Sequence, residues 1–157
     1  MAKKEPAKKK AAPKKTAAKK VSTKPKAERP KTKKVADVTT YSSMALAKAV
    51  AQGMFELKAE DIRILDMRNI DKASSDFFVI CHAKSDKQVE AIGDSVEEEV
   101  FKVFKEWPWH REGYENLEWV LLDYIDVVAH VFQEEKREFY AVEELWGDAI
   151  DIPFEGK

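Results

Sequence analysis

The first 36 residues carry almost none of the side chains from which a hydrophobic core is built. They include no aromatic residue, no Leu and no Ile, and they hold 14 Lys and one Arg against two Glu. Such a segment cannot bury enough apolar surface to offset its ordering entropy, roughly 1–2 kcal/mol per residue. We therefore predict that residues 1–36 form a disordered basic tail and that residues 37–157 form one small folded domain.

The formal net charge of −1 conceals two oppositely charged parts, +13 over residues 1–36 and −14 over residues 37–157. A lysine-rich arm neutralises phosphates and releases counterions, so it suits a nucleic-acid backbone such as that of RNA. Without aromatic rings it cannot stack on bases, so we do not expect it to read sequence. The alternatives are a solubilising tail and a tail that folds back on the acidic domain. The candidate nucleic-acid contacts are Lys8, Lys9, Lys10, Lys14, Lys15, Lys19 and Lys20.

Several classes of protein are disfavoured by the composition. Cys81 is the single cysteine, which excludes a disulfide framework and a zinc site built from several thiolates. No apolar run approaches the ~18–20 residues that span a bilayer, and the N-terminus lacks the apolar core of a secretory signal. No GxGxxG or GxxxxGK[ST] motif supports a nucleotide site. We therefore expect a soluble cytoplasmic protein without a membrane partner.

Apolar periodicity predicts an α/β domain with a mixed sheet flanked by helices, in the order αββαββα. Ser85 and Gln88 have the form of a capping box that opens the second helix, Pro108 is predicted to end it, and Gly147 to follow the third. The run 77–81 is predicted to be a central buried strand. The predicted helices are 43–57, 86–106 and 135–146, and the predicted strands 61–67, 77–81, 119–122 and 127–132, with a polar loop at 108–116 and the last two strands forming an antiparallel hairpin.

No group of residues has the spacing of a catalytic or metal centre, so we predict no enzyme, no metal and no cofactor. Asp123 and Asp126 flank a turn and could share a cation, but a metal site would need a further ligand. A solvated hairpin tip is therefore the favoured interpretation. Cys81 closes an apolar run, and burial would make its thiol inert.

Five aromatic residues cluster between the second helix and the hairpin. Trp109 and Tyr114 fall in the predicted loop, so we expect them to be the least buried of the five. Exposed Trp and Tyr act as anchors in protein interfaces, and the surrounding carboxylates would favour a basic partner. The five are Trp107, Trp109, Tyr114, Trp119 and Tyr124.

Residues 119–146 resemble the signature of the ribosomal silencing factor (iojap-like) family, and residues 59–66 and 75–81 extend the resemblance upstream. It covers about residues 43–148. Ile125 stands where the family usually has Gly, and Val142 replaces a usual Leu. The basic tail is not part of the family pattern. The matching residues are Trp119, Asp123, Asp126, His130, Arg137, Tyr140, Glu143, Leu145 and Trp146.

This resemblance implies a nucleotidyltransferase-like fold without catalytic residues. It also implies binding to large-subunit ribosomal protein fourteen, which sterically blocks joining of the small subunit and represses translation when nutrients are scarce. Family members are often dimers, so a homodimer is a further expectation. The alternatives are an active nucleotidyltransferase and a nucleic-acid condensing protein that acts through its tail.

The predicted partner contacts lie on the hairpin and its approach. Asp123 and Asp126 are the firmest surface predictions, whereas strand alternation leaves open whether Trp119 and His130 face the partner or the core. The full predicted set is Trp119, Asp123, Tyr124, Asp126 and His130.

Overall fold

The computed structural model describes residues 41–156. The predicted tail and its seven candidate lysines lie outside this range. The elements, in chain order, are α1 (Ser43–Glu56), β1 (Glu60–Asp66), β2 (Phe77–Ala83), α2 (Asp86–Phe104), β3 (His110–Glu112), β4 (Trp119–Asp123), β5 (Val127–Gln133), α3 (Glu134–Tyr140), α4 (Val142–Leu145) and β6 (Ile150–Ile152).

The strands form one six-stranded mixed sheet in the order β3-β4-β5-β2-β1-β6. β2 pairs in parallel with β5, and every other neighbouring pair is antiparallel. The predicted mixed sheet with helices, the antiparallel β4–β5 hairpin and the central position of β2 are confirmed. The predicted order αββαββα is wrong, because it lacks β3 and β6 and merges α3 with α4. Within residues 41–156, no helix is long and apolar enough to cross a membrane.

Two apolar clusters lie on opposite faces of the sheet. Successive residues of β2 serve both, because Val79 belongs to the cluster under α1 and α2, and Ile80 to the cluster that includes Phe132 and Val142. A strand that is buried on both faces shows a continuous apolar run, which explains the run at 77–81. α1 and α2 pack at close range: a Cβ added to Gly53 would lie 2.7 Å from Val96 Cα.

The start of α2 agrees in part with the prediction, and its end does not. The Ser85 hydroxyl accepts from the Gln88 backbone N–H (3.1 Å), which confirms the N-cap. The Gln88 side chain instead donates to the carbonyl oxygens of Leu57 and Lys58, tying α2 to the turn after α1. The helix ends at Phe104 because Lys105 adopts a left-handed conformation (φ 61°). The prediction that Pro108 ends it is therefore wrong.

Two local predictions in the C-terminal half of the chain are corrected, and a third, on Gly147, is confirmed. The predicted loop 108–116 contains β3, an exposed edge strand whose polar residues give no apolar signal. The predicted helix 135–146 is broken at Ala141, whose φ of 46° is left-handed and cannot continue a helix. Gly147 does follow the C-cap of α4, but Gly113 is the described glycine that has a positive φ (92°).

Candidate functional site

The β4–β5 hairpin places the predicted contact residues at two separate ends. Trp119 pairs with Phe132 at one end of β4, and Asp123 pairs with Val128 at the other. At ~3.4 Å per residue, Trp119 and Asp123 are about 14 Å apart along the strand. The structure therefore does not bring the predicted residues together on one surface, and the two ends require separate descriptions.

Two of the predicted contact side chains are buried, which corrects the assignment of Tyr124 to the surface and places His130, whose orientation the sequence left open, in the core. Tyr124 is 5% exposed and belongs to the core cluster under α1 and α2. His130 is 4% exposed. Burial raises the pKa of Tyr124, and burial lowers the pKa of His130 to about 3, so both side chains are neutral at physiological pH. Neither is placed to touch a partner directly.

Trp119 is only half-buried and is held by His130. Its indole Nε1–H donates to His130 Nδ1 at 3.1 Å. Because His130 is neutral and its Nδ1 accepts, its proton is carried by Nε2. The Trp119 ring also contacts the rings of Phe132 and Tyr140, each with a centroid separation of 4.9 Å. Trp119 is thus the surface member of the pair and His130 the core member.

Exposed aromatic rings on α3 continue the surface that begins at Trp119. Tyr140 is 45% exposed, and Phe139, whose ring centroid lies 5.0 Å from that of Tyr140, is 75% exposed. Trp119, Tyr140 and Phe139 therefore form a continuous row of rings, which we call the aromatic face. Single exposed apolar residues are common, but contiguous ones mark interaction sites. Neither Phe139 nor Tyr140 is among the predicted contacts, because helical spacing places Phe139 on the same side of the predicted helix 135–146 as Val142, Leu145 and Trp146.

A buried guanidinium supports the two short helices beneath this face. Arg137 is buried, and its Nε donates to the Glu143 carboxylate (3.0 Å), with Nη2 contacting the same oxygen. Its Nη1 donates to the Asp61 carbonyl oxygen (2.9 Å) and lies 2.8 Å from His82 Nδ1. Arg137 thereby links α3 to α4, β1 and β2. Two residues of the family signature, Arg137 and Glu143, consequently have a structural role here.

The other end of the hairpin is an acidic turn. Asp123 Oδ1 accepts from the Ile125 backbone N–H (2.8 Å), and Ile125 has a φ of 77°, in the left-handed region. Asp126 is exposed, and its pKa is raised by partial burial and by the nearby Asp76. The Trp109 backbone N–H donates to the Asp123 carbonyl oxygen at 2.7 Å. Trp109 is 65% exposed, in agreement with the prediction for this residue.

Tyr114 departs from the same prediction, because it packs against the core instead of facing solvent. A Cβ added to Gly93 would lie 2.3 Å from the Tyr114 hydroxyl, so the phenol occupies the space above that glycine. The Arg111 guanidinium lies over the ring, 4.3 Å from its centroid. Burial is also the main reason why the pKa of Tyr114 is raised.

The chemistry available to the described part of the chain is limited. Within residues 41–156, no group of three or more His, Cys, Asp or Glu side chains is placed to hold a metal ion. Asp123 is used as the acceptor of the hairpin turn. Burial raises the pKa of the Cys81 thiol, which disfavours the nucleophilic thiolate. The aromatic face is therefore the feature of this domain that is best suited to a function.

Comparison with known proteins agrees with the resemblance found in the sequence. The family model described as "Ribosomal silencing factor during starvation" matches residues 40–157. Ribosomal silencing factor RsfS of Bacillus subtilis is 42% identical over 116 residues, which are 70% of this chain and 93% of that protein. Chloroplastic protein Iojap of Zea mays is 34% identical over 114 residues, which are 71% of this chain and 49% of that protein.

Two solved structures have the same fold. A crystal structure of a protein from Bacillus halodurans has a TM-score of 0.60 and 35% identity, and covers 71% of this chain and 99% of that one. A crystal structure of a protein from Chromobacterium violaceum has a TM-score of 0.64 and 29% identity, over 68% and 88% of the two chains. Sequence and structure thus confirm the predicted resemblance, and the chain belongs to the ribosomal silencing factor family.

Proposed function

We propose that this chain acts in the cytoplasm as a non-enzymatic ribosomal silencing factor. It binds the large ribosomal subunit through large-subunit ribosomal protein fourteen, sterically blocks joining of the small subunit and so represses translation. The family membership supports the ribosomal role. The observation that carries the choice of surface is the aromatic face, a continuous row of partly exposed rings at one end of the hairpin.

The aromatic face has the composition expected of a protein-binding surface. Trp and Tyr dominate the energetics of protein interfaces, because they bury a large area with few rotatable bonds. Trp119 and Tyr140 are also restrained before binding, by the bond to His130 and by their mutual contact. Restraint of this kind lowers the entropy cost of association.

The charge around the aromatic face supports a basic partner. α3, which carries Phe139 and Tyr140, exposes three carboxylates, although Lys84 pairs with one of them (Glu134) and the Lys136 ammonium lies 5.9 Å from the Phe139 ring centroid. Residues 37–157 carry a formal net charge of −14. A negative surface steers the approach of a basic protein and repels RNA phosphates. The three carboxylates are those of Glu134, Glu135 and Glu138.

Asp123 and Asp126 stay in the proposal as electrostatic contacts at the far end of the hairpin. Their distance from Trp119 means that they contribute to steering and to an extended footprint, not to the aromatic anchor. Exposed charges of this kind change association rates more than they change dissociation rates. Their replacement should therefore weaken binding less than the loss of the rings.

Residues 1–36 complete the proposal from charge alone. The lysines already named would contact ribosomal RNA beside the protein partner, and the tethered second contact would raise the effective concentration of the domain at its target. A homodimer of the free factor stays a prediction, as does the relation of the fold to nucleotidyltransferases.

Co-sedimentation of the full-length chain with purified large ribosomal subunits tests the proposal. Wild type should pellet with the subunits and should reduce the light scattered on addition of small subunits. Phe139→Ala with Tyr140→Ala should lose most of the pelleting, whereas Asp123→Asn with Asp126→Asn should lose less. Val103→Ala, an exposed apolar residue on α2, is the matched control and should bind as wild type does.

The outcomes separate the function from the surface. Failure of the wild type to pellet would contradict the ribosomal function. Full pelleting by the Phe139 and Tyr140 variant would contradict the aromatic face as the contact. Pelleting without any effect on subunit joining would contradict the steric mechanism alone.

A further inference from the structure

We infer that His130 is a positioning residue of the aromatic face: its buried ring accepts the Trp119 indole N–H and so fixes the orientation in which Trp119 and Tyr140 meet a partner. This inference rests on the proposed function for the use of that face. It assigns to His130 a role distinct from direct partner contact, one of the two orientations that the sequence left open, because the residue is only 4% exposed.

The hydrogen bonds of the two ring nitrogens of His130 indicate the role of this side chain. Nδ1 accepts from Trp119, whereas Nε2 is buried and has no hydrogen-bond partner among the described residues. An unpaired buried polar group is unfavourable, so an apolar side chain of similar volume would suit a purely space-filling role better. The polar function that the ring performs here is the bond to Trp119. Each such unsatisfied group in a folded protein calls for an explanation.

The hydrogen bond from Trp119 to His130 restrains the side-chain torsions of Trp119, which strand pairing does not. Strand pairing fixes the Trp119 backbone opposite Phe132, but the side-chain torsions of a half-buried Trp can occupy more than one rotamer. The observed indole orientation aims Nε1 at His130 Nδ1. In that orientation the ring stacks against Phe132 and meets Tyr140, which in turn meets Phe139.

The protonation state of His130 keeps the bond in place. Burial holds the imidazole neutral, so Nδ1 retains its lone pair at every pH at which the protein would meet a ribosome. A charged imidazole would present two donors and could not accept the indole N–H. The ring is further restrained by Phe78, with a centroid separation of 4.6 Å.

Three variants of the full-length chain test the inference. His130→Asn retains an acceptor, because Asn Oδ1 is attached at the same position as His Nδ1. His130→Leu removes the acceptor and keeps an apolar side chain. Trp119→Phe removes the donor together with the five-membered part of the indole, while a smaller aromatic ring stays at the surface. The measurements are the affinity of the labelled chain for purified large ribosomal subunits, and the indole N–H resonances in a two-dimensional NMR spectrum of the free chain.

We expect His130→Leu and Trp119→Phe each to bind about tenfold more weakly or worse, the loss that one freed interface side chain typically produces. His130→Asn should stay within about threefold of wild type. The indole resonance that disappears in Trp119→Phe should shift in His130→Leu and stay close to its wild-type position in His130→Asn. The double variant Trp119→Phe with His130→Leu should bind no worse than Trp119→Phe, because both changes break the same bond.

Each contrary result identifies what is wrong. An unshifted Trp119 indole resonance in His130→Leu overturns the positioning role, whether or not the wild type binds subunits. Losses of affinity that add in the double variant also overturn it, because His130 would then act independently of Trp119. If His130→Leu does not fold, Trp119→Phe with unchanged affinity overturns the inference. Failure of the wild type to bind, with the indole shift as expected, contradicts only the proposed function.

Discussion

Arg137 donates from its Nε to the carboxylate of Glu143 at 3.0 Å, across the residue, Ala141, at which α3 ends and α4 begins. Arg137 is buried, whereas the Glu143 side chain is about one quarter exposed. The pair fixes the angle at which α3 presents Phe139 and Tyr140. The pair gives a structural role to two residues of the family signature, Arg137 and Glu143.

Glu143→Ala should lower the free energy of unfolding by about 2 kcal/mol. The change removes the nearer carboxylate of the buried guanidinium and leaves only that of Asp61, 3.4 Å from Nη2 and largely exposed. Breaking a fully buried pair typically costs 3–5 kcal/mol, and the cost is smaller here because Glu143 is partly exposed and Asp61 remains. Urea denaturation followed by circular dichroism measures the effect. Glu144→Ala, the exposed neighbour, should change the value by no more than about 0.5 kcal/mol. Equal stabilities for the two variants would remove the structural role of the pair.

Gly53→Ala should destabilise the protein by about 2 kcal/mol, because a Cβ at this position would lie 2.7 Å from Val96 Cα and would push α1 away from α2. The backbone of α2 cannot move aside as a flexible side chain could. Gly147→Ala is the matched control, since the nearest atom to its Cβ would be the Glu144 carbonyl oxygen at 3.4 Å. Thermal unfolding of both variants should show a clear loss only for Gly53→Ala. A stable Gly53→Ala protein would mean that the two helices pack less closely than described.

Ile125→Gly should stabilise the protein by about 0.5–1 kcal/mol. A β-branched residue with φ 77° lies in the left-handed region, where an L side chain costs roughly 1–2 kcal/mol, and glycine removes that strain at a smaller cost in unfolded-state entropy. Ile125→Ala is the control, because it retains a Cβ and should gain little. Denaturation midpoints of the two variants decide between them. An equal gain for both would show that the branch at Cβ, not the presence of a Cβ, strains the wild-type turn.

The sequence predicts best those elements whose own periodicity determines them. The α2 stripe and the apolar run of β2 placed both elements within two residues of their observed ends, because their burial follows directly from the spacing of Val and Ile. β3 and β6 carry three residues each and are mainly exposed, so they show no apolar pattern and depend on pairing with longer strands. The break at Ala141 is spanned by the contact between Arg137 and Glu143, which spacing alone does not reveal.

The candidate site was harder to predict for a related reason. Alternation along the hairpin identifies which residues share a side of the sheet, but not which side is covered by a helix or which end meets solvent. Tyr124 was therefore assigned to the surface although it packs in the core. Helical spacing places Phe139 on the same side of the predicted third helix as Val142, yet Phe139 is exposed and Val142 is buried. Both orientations were left open for Trp119 and His130, and the structure has Trp119 at the boundary and His130 in the core.

The free energy of unfolding should fall as the pH decreases below about 6.5, and part of that fall should come from His130. Burial lowers the pKa of His130 in the folded protein to about 3, against a usual value of 6.5. Between these two values the unfolded chain binds a proton that the folded chain does not, so acid favours unfolding. Between pH 6.5 and pH 5, His130 should therefore lower the free energy of unfolding by about 2 kcal/mol, at ~1.4 kcal/mol per pH unit.

His130→Asn isolates this contribution, because Asn cannot titrate and the remaining acidic and basic groups are common to both proteins. Urea unfolding at several values between pH 4.5 and 8 (a range set by the two pKa values) should give curves that are parallel above about pH 7 and that converge below it. The free energy of unfolding of the wild type falls more steeply there, because only the wild type has an imidazole at this position that takes up a proton when it is exposed by unfolding. Curves that stay parallel down to pH 4.5 would mean that His130 is accessible to protons in the folded state, and the neutral acceptor on which the Trp119 bond depends would then be lost in acid.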